Sequence, residues 1–309
     1  MNILQTLFHI LIFPGFAFVL VTALFLHWLD RKLIARFQGR VGPPWYQPVA
    51  DLIKLFSKED ILPTGTNELL ATLLPLASFA CVMTASFYLP FAASTARSFE
   101  GDFIVVIFLL SMPSLIYFLA GRITSGEYSI LGGNRSLLQY FSYEVLFLLA
   151  ISGTVISSGS WSLADIRNVQ LASGSYFLPH LMGFFLTVSG LIGKLKREPY
   201  DIPKAKSEMI AGPLTEFSGK KLGLWKLTNQ LQTVVGLSFI IHVYFGGLWQ
   251  MGTVKGFVIF YLLLILLQFL LSSISAIYAR LRIDQLIRVN WYIMVPVALI
   301  HNLFLVLKG

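Results

Sequence analysis

Long apolar runs alternate with short polar ones along almost the whole chain. A helix needs about 20 mostly apolar residues to cross a hydrocarbon core of about 30 Å. Eight runs meet that length, near 7–28, 70–91, 103–121, 137–158, 176–195, 230–249, 256–279 and 289–307. The pattern predicts an all-α membrane protein of eight transmembrane helices joined by long structured loops. There is no internal repeat, low-complexity tract or soluble domain, so residues 1–309 read as a single integral membrane domain. Pro14, Pro75, Pro113, Pro179 and Pro296 fall inside or near span ends. Membrane helices tolerate proline because neighbouring groups satisfy the freed carbonyls.

Composition agrees. The chain is 56% hydrophobic and only 12% charged, against about 25% charged in soluble domains. The one cysteine, Cys81, sits within an apolar run and excludes an internal disulfide or a multi-cysteine metal site. The first run lacks a basic leader and runs into "DRK" rather than a small-residue cleavage site, so it reads as a span and not a removable signal.

Charge sets the expected orientation. Nineteen of the 23 Lys and Arg residues fall in 29–69, 122–136, 194–229 and 280–288. Basic loops stay cytoplasmic, which places both termini outside and the chain as a multi-pass protein of the cell membrane. The net charge of +8 is this bias and requires no nucleic acid.

Two of these loops exceed what a link requires, which marks function. The first reads "DRKLIARFQGRVGPPWYQPVADLIKLFSKED". In its second half Val49, Leu52, Ile53 and Phe56 recur at helical spacing, with Asp51, Lys54 and Lys58 opposite, predicting an interfacial amphipathic helix. The second is "REPYDIPKAKSEMIAGPLTEFSGKK", residues 197–221. The loops "GEYSILGGNRSLLQYFSYEV" and "ARLRIDQLIRVNW" share the same side. Mixed charges and aromatics on one face suit docking of a large soluble partner. Arg31, Lys32, Arg36, Arg40, Asp51, Lys54, Arg280, Arg282 and Asp284 are the docking candidates.

No nucleotide, hydrolase or metalloprotease motif occurs, and the five histidines are scattered in sequence. Chemistry must then come from charges in or near the membrane. Glu144, about two turns into the fourth span, is a functional candidate because a carboxylate at that depth is costly. Asp201, Glu208 and Glu216 join it as a polar entry, with Asp30 and Glu68 flanking the first loop. Pro203 suits the first turn of a helix and Asp201 its cap. On that reading Lys204 and Glu208, four apart, pair on one face, and Lys206 lies about 200° away.

These loops resemble the signature motifs of the conserved eight-helix membrane subunit of respiratory complex I, which anchors the peripheral redox arm. The likeness spans nearly the whole chain. One departure stands out: quinone-reducing members carry glutamates where this chain has Lys204 and Lys206, keeping only Glu208. In this it resembles the version in archaeal membrane-bound nickel–iron hydrogenases and sulfur-reducing relatives, which oxidise ferredoxin. The resemblance implies a non-catalytic subunit of an oxidoreductase complex, without a cofactor of its own. It implies an iron–sulfur small subunit with [4Fe-4S] clusters, a hydrogenase-like large subunit with Ni–Fe ancestry, and antiporter-like membrane subunits. It also implies an ion path for protons or sodium through Glu144, Asp201, Lys204, Lys206, Glu208 and Glu216. The alternatives are the quinone-site subunit of an ordinary complex I and a free-standing transporter. A transporter calls for broken helices facing each other at midplane, whereas these charges crowd one face.

Overall fold

The computed structural model describes residues 11–12, 15–89, 99–248 and 253–308, without the side chains of Lys206, Ser207 and Lys308. Every regular element among them is helical. The helices are α1 (Phe16–Phe37), α2 (Gln47–Ser57), α3 (Glu68–Tyr88), α4 (Asp102–Ile123), α5 (Glu127–Ser158), α6 (Leu163–Ser173) and α7 (Leu181–Leu195). They continue with the short α8 (Lys206–Met209), α9 (Gly219–Phe245), α10 (Val254–Ile277), α11 (Ile283–Arg288) and α12 (Val295–Lys308). A wide π segment, Val289–Met294, welds α11 to α12.

Six of these are long and apolar enough to cross a membrane: α3, α4, α5, α9 with its 3₁₀ extension to Leu248, α10, and the α11–α12 rod. The other two expected spans fall on α1 and α7. The start of the first span lies outside the described residues, and α1 carries Asp30, Arg31, Lys32 and Arg36 in its second half. α7 has 15 residues, about 22 Å of helix, with irregular chain from Gly174 to His180 ahead of it.

α9 is the hub, buried on nearly every side, with α1, α2, α3, α7 and α10 packed around it. Its neighbours keep one apolar face for the core and one for lipid. In α10, Phe260, Leu264, Leu267 and Leu271 are buried while Val258, Leu262, Leu266 and Phe269 are exposed, the helical spacing expected of a two-sided environment.

Two expected loops are helix instead. Residues 127–136 are the first turns of α5, 32 residues long. The Gly132–Gly133 pair there allows close approach: a Cβ on Gly132 would meet Gly212 Cα at 2.8 Å, and one on Gly121 of α4 would meet Gly133 Cα at 3.0 Å. Small residues serve contact here, as they do between membrane helices. Opposite, residues 163–173 form α6. Its first turn is capped by Ser162, and buried Asp102 accepts from Leu163 N at 2.8 Å.

The amphipathic helix lies where expected, with its apolar residues divided. Leu52 packs inward beneath α9, while Val49, Ile53 and Phe56 stay exposed. Trp28 Nε1 donates to Pro43 O at 3.2 Å, tying the "GPP" turn to α1.

Candidate functional site

Glu144 does not stand alone. α7 delivers Lys194, which is 0% exposed, against it. Lys194 Nζ donates to Glu144 Oε2 at 2.6 Å, to Oε1 at 2.8 Å and to Ser111 Oγ of α4 at 2.7 Å, and Ser111 donates in turn to Glu144. The ammonium also sits 4.5 Å from the Phe147 ring centroid. Pro113, close by on the same helix, interrupts the α4 ladder. Gln232 of α9 donates to the Leu110 carbonyl there at 3.0 Å. Ion pairs at this depth persist only when paired and hydrogen-bonded, and this one is both.

A second buried lysine, Lys196, follows two residues on. It takes a left-handed backbone conformation at the end of α7, φ +50°, which is uncommon for a residue other than glycine. The turn reverses the chain and drives the side chain under α4. Its Nζ donates to Ser114 Oγ at 3.3 Å and lies 4.5 Å from the Tyr117 ring centroid. Tyr143 OH donates to the same Ser114 Oγ at 2.7 Å. A Cβ on Gly193 would strike the Tyr143 ring at 2.7 Å, so glycine is needed there. Burial pushes the Lys196 amine well below the ordinary lysine value, helped by the charges of Lys204 and Lys194.

Lys196 opens onto a cavity of about 540 Å3 between α1, α2, α3, α4 and α9. Around it stand His27, Arg31, Asp51, Lys204, Trp225 and Gln230. Burial lowers the Lys204 amine, Asp201 works against that, and Arg197 adds to it. At the mouth, Arg31 holds Asp51 at 2.8 Å and Gln47 adds a bond at 3.0 Å. Burial lifts the Asp51 carboxyl, and these two donors outweigh it and hold it below its usual value. Deeper in, Arg197 bonds Asp30 at 2.9 Å, with Gln268 and Ser272 of α10 at 2.8 and 2.7 Å.

The expected Lys204–Glu208 pair does not form. Pro203 and Lys204 make a turn ahead of α8, with Ala205 at its cap, so the four-residue spacing does not fall on one helix. Gly212, at φ +61°, comes too close to Pro203 O to leave room for any side chain, which bends the segment back on itself. Glu208 instead bridges Arg135 of α5, at 2.7 Å, and Arg280. The hydrogen bond from Arg135 first, then the charge of Arg280, hold the Glu208 carboxyl below its ordinary value. Glu216 lies against Gly126 at the start of α5, where a carboxylate suits the helix dipole. The side chain of Lys206 lies outside the described residues. Of the docking candidates, Arg31, Asp51 and Arg280 are engaged within the chain, whereas Arg36, Arg40, Lys54, Arg282 and Asp284 are exposed and Lys32 half-buried.

Sequence reasoning passed over Lys194, Lys196, Ser111, Ser114 and Tyr143. The signal was present in "LIGKLKREP", two lysines against the end of an apolar run, but they read as loop charges. Among the described residues no three His, Cys, Asp or Glu side chains converge as a metal site.

The sequence pattern of the NADH dehydrogenase family matches residues 10–306. An NADH-quinone oxidoreductase subunit of Dehalococcoides mccartyi is 37% identical over 292 residues, covering 92% of this chain and 82% of its relative. The corresponding subunit of Helicobacter acinonychis is 33% identical over 298 residues, 90% of each chain. That of Rhodospirillum rubrum is 32% identical over 293 residues, 89% of this chain and 86% of its own. A chain of the membrane-bound sulfane sulfur reductase, an archaeal respiratory membrane complex, shares the same fold. The TM-score is 0.86 at 24% identity, covering 94% and 96%. The protein therefore belongs to the NADH dehydrogenase family and is a membrane subunit of the complex I type.

Proposed function

We propose that the chain is the membrane-anchor and energy-coupling subunit of a complex I-like, ferredoxin-oxidising complex of the hydrogenase or sulfur-reductase kind. It spans the cell membrane eight times as one integral unit, with α1 and α7 as the two less apolar crossings. The basic loops are cytoplasmic and both termini outside. The iron–sulfur small subunit and hydrogenase-like large subunit dock on the loop face, and the antiporter-like subunits lie beside it in the membrane. The clusters belong to the partners.

The observation that carries this reading is the placing of two polar clusters side by side, one opening on the cavity and the other the buried Glu144–Lys194 pair. Lys196 lines the cavity and shares Ser114 with Tyr143, the residue next to Glu144. Electron arrival above the loop face changes the local potential, and closely spaced charges in a dry setting feel it strongly. Asp201, Lys204, Lys206, Glu208 and Glu216 form the cytoplasmic part of the path, and protons or sodium are the ions moved.

Two cavity lysines, Lys196 and Lys204, favour a ferredoxin-type complex over a quinone reductase. A second reading has its own support: a cavity of about 540 Å3 has the size of a small-molecule site, and the curated relatives are named as NADH-quinone oxidoreductase subunits. The deciding experiment assays the purified native complex with reduced ferredoxin and with a soluble quinone. Ferredoxin-driven transport in vesicles, without quinone reduction and lost in Lys204→Glu or Lys206→Glu, is expected. Quinone reduction at a rate matching the physiological reaction overturns the first reading.

A further inference from the structure

On the face opposite the loops, α5, α7 and α12 bring together polar atoms that the coupling route does not use. His180 closes the chain just before α7, and His301 and Asn302 follow each other on α12. Their exposures are 2%, 8% and 9%. The two imidazoles meet edge to face with centroids 5.6 Å apart.

Each is oriented by a neighbour. His180 Nε2 bonds Ser157 Oγ at 3.1 Å, which leaves Nδ1 turned inward. Asn302 Nδ2 donates to Leu149 O at 2.9 Å and Ser152 Oγ at 2.8 Å, turning Oδ1 the other way. His180 Nδ1, His301 Nε2 and Asn302 Oδ1 have no hydrogen-bond partner within the chain. Two glycines let these atoms close on the α5 and α7 backbones. A Cβ on Gly153 would lie 3.0 Å from Asn302 Oδ1 and 3.6 Å from His180 Nδ1, and one on Gly183 would lie 3.1 Å from His301 Nε2.

We propose that His180 Nδ1, His301 Nε2 and Asn302 Oδ1 form a binding site for a divalent transition-metal ion, entered from the outer face. Neutral imidazoles with an amide oxygen suit zinc or copper and not magnesium or calcium. Two imidazoles on one tetrahedral ion, at Zn–N of about 2.0–2.1 Å, place their ring centroids about 5 Å apart, close to the separation seen. Ser157 acts as the outer partner that fixes the tautomer of a metal-bound histidine. It is itself exposed at the end of α5, which gives the ion a way in. Water completes the coordination.

The test strips the native complex with a chelator, titrates it with Zn2+ and counts bound metal against variants. Wild type is expected to hold one zinc per chain more than His180→Asn or His301→Asn. Ser157→Ala, which keeps all three ligands, should weaken binding roughly 10- to 100-fold. Gly153→Ala crowds two of the three atoms and should abolish it. Variants are compared only as intact complexes by size and redox activity with artificial acceptors. If the histidine variants do not assemble, Ser157→Ala and Gly153→Ala decide. Equal zinc in wild type and His301→Asn, or undiminished binding in both Ser157→Ala and Gly153→Ala, overturns the site.

Discussion

Replacing Lys194 by glutamine strands the carboxylate of Glu144. Lys194 is wholly buried and Glu144 side-chain exposure is 10%, so water has little access to either. The ammonium supplies three donors within 2.8 Å, two to Glu144 and one to Ser111. A glutamine amide supplies two and no charge. Removing one partner of a buried ion pair costs about 3–5 kcal/mol, because the other charge stays in a dry site. Removing both is far milder, since no net charge remains. Lys194→Gln and Glu144→Gln should each lower the melting temperature of the complex in nanodiscs by roughly 6–20 °C, at about 2–4 °C per kcal/mol. The double variant should regain more than half of the loss. All three should lose ion pumping while the peripheral arm keeps its activity with artificial acceptors. If Lys194→Gln melts with wild type, or the double variant is no better than the singles, the pair is not the buried charge unit described here. If pumping survives intact in Glu144→Gln, the pair is structural.

Three further outcomes are expected. Arg36→Glu with Arg40→Glu, at two exposed positions, should release the peripheral arm from membranes at lower salt, because exposed pairs are screened; retention at all salt concentrations would make that loop merely structural. Lys196→Met removes a buried amine with no carboxylate partner and should raise the melting temperature of the complex, while coupled transport falls. The unfolded chain holds the Lys196 proton more tightly, so wild-type stability should rise as pH climbs toward 10.5, and the variant should flatten that rise; an unchanged alkaline profile would contradict it. Glu208 is the opposite case: its folded value is lowered, so its contribution is present above 4.5 and lost as pH falls below that through the folded value. Proteolysis of the 197–218 segment should therefore accelerate below pH 4.5 in wild type, and Glu208→Gln should already cleave fast at neutral pH.

The spans were legible because lipid demands long apolar runs, and that signal is strong for α3, α4, α10 and the α11–α12 rod. It blurred where helices outrun the membrane. The first turns of α5 are polar and carry Gly132–Gly133, so residues 127–136 read as loop although the glycines serve tight contact. Glu144 could be singled out by depth alone. Its partner could not, because Lys194 sits at an apolar run's edge and only the packing of α7 on α5 shows that the edge lies inside the protein. The Lys204–Glu208 pairing failed for a related reason. Residue spacing assumes an unbroken helix, and the left-handed Gly212 folds the segment so that Arg135 and Arg280, distant in sequence, reach Glu208 first. Likewise the histidines are scattered in sequence, yet His180 and His301 face each other in space.

The wide segment at Val289–Met294 sets the indexing of the last rod. A π turn holds one residue more than the α-helix it interrupts, and each residue turns a helix by about 100°. Asn290, buried there, donates to Ser142 at 3.0 Å and locks the step against α5. Everything beyond is aimed by that single extra residue, as a key is aimed by its notch. Deleting one residue between 289 and 294 would let the rod run on as plain α-helix with its far faces kept. Deleting one between 296 and 300 instead would turn His301 and Asn302 by about 100° from α5 and α7 out toward the lipid, away from the face that buries Val295 and Ala298.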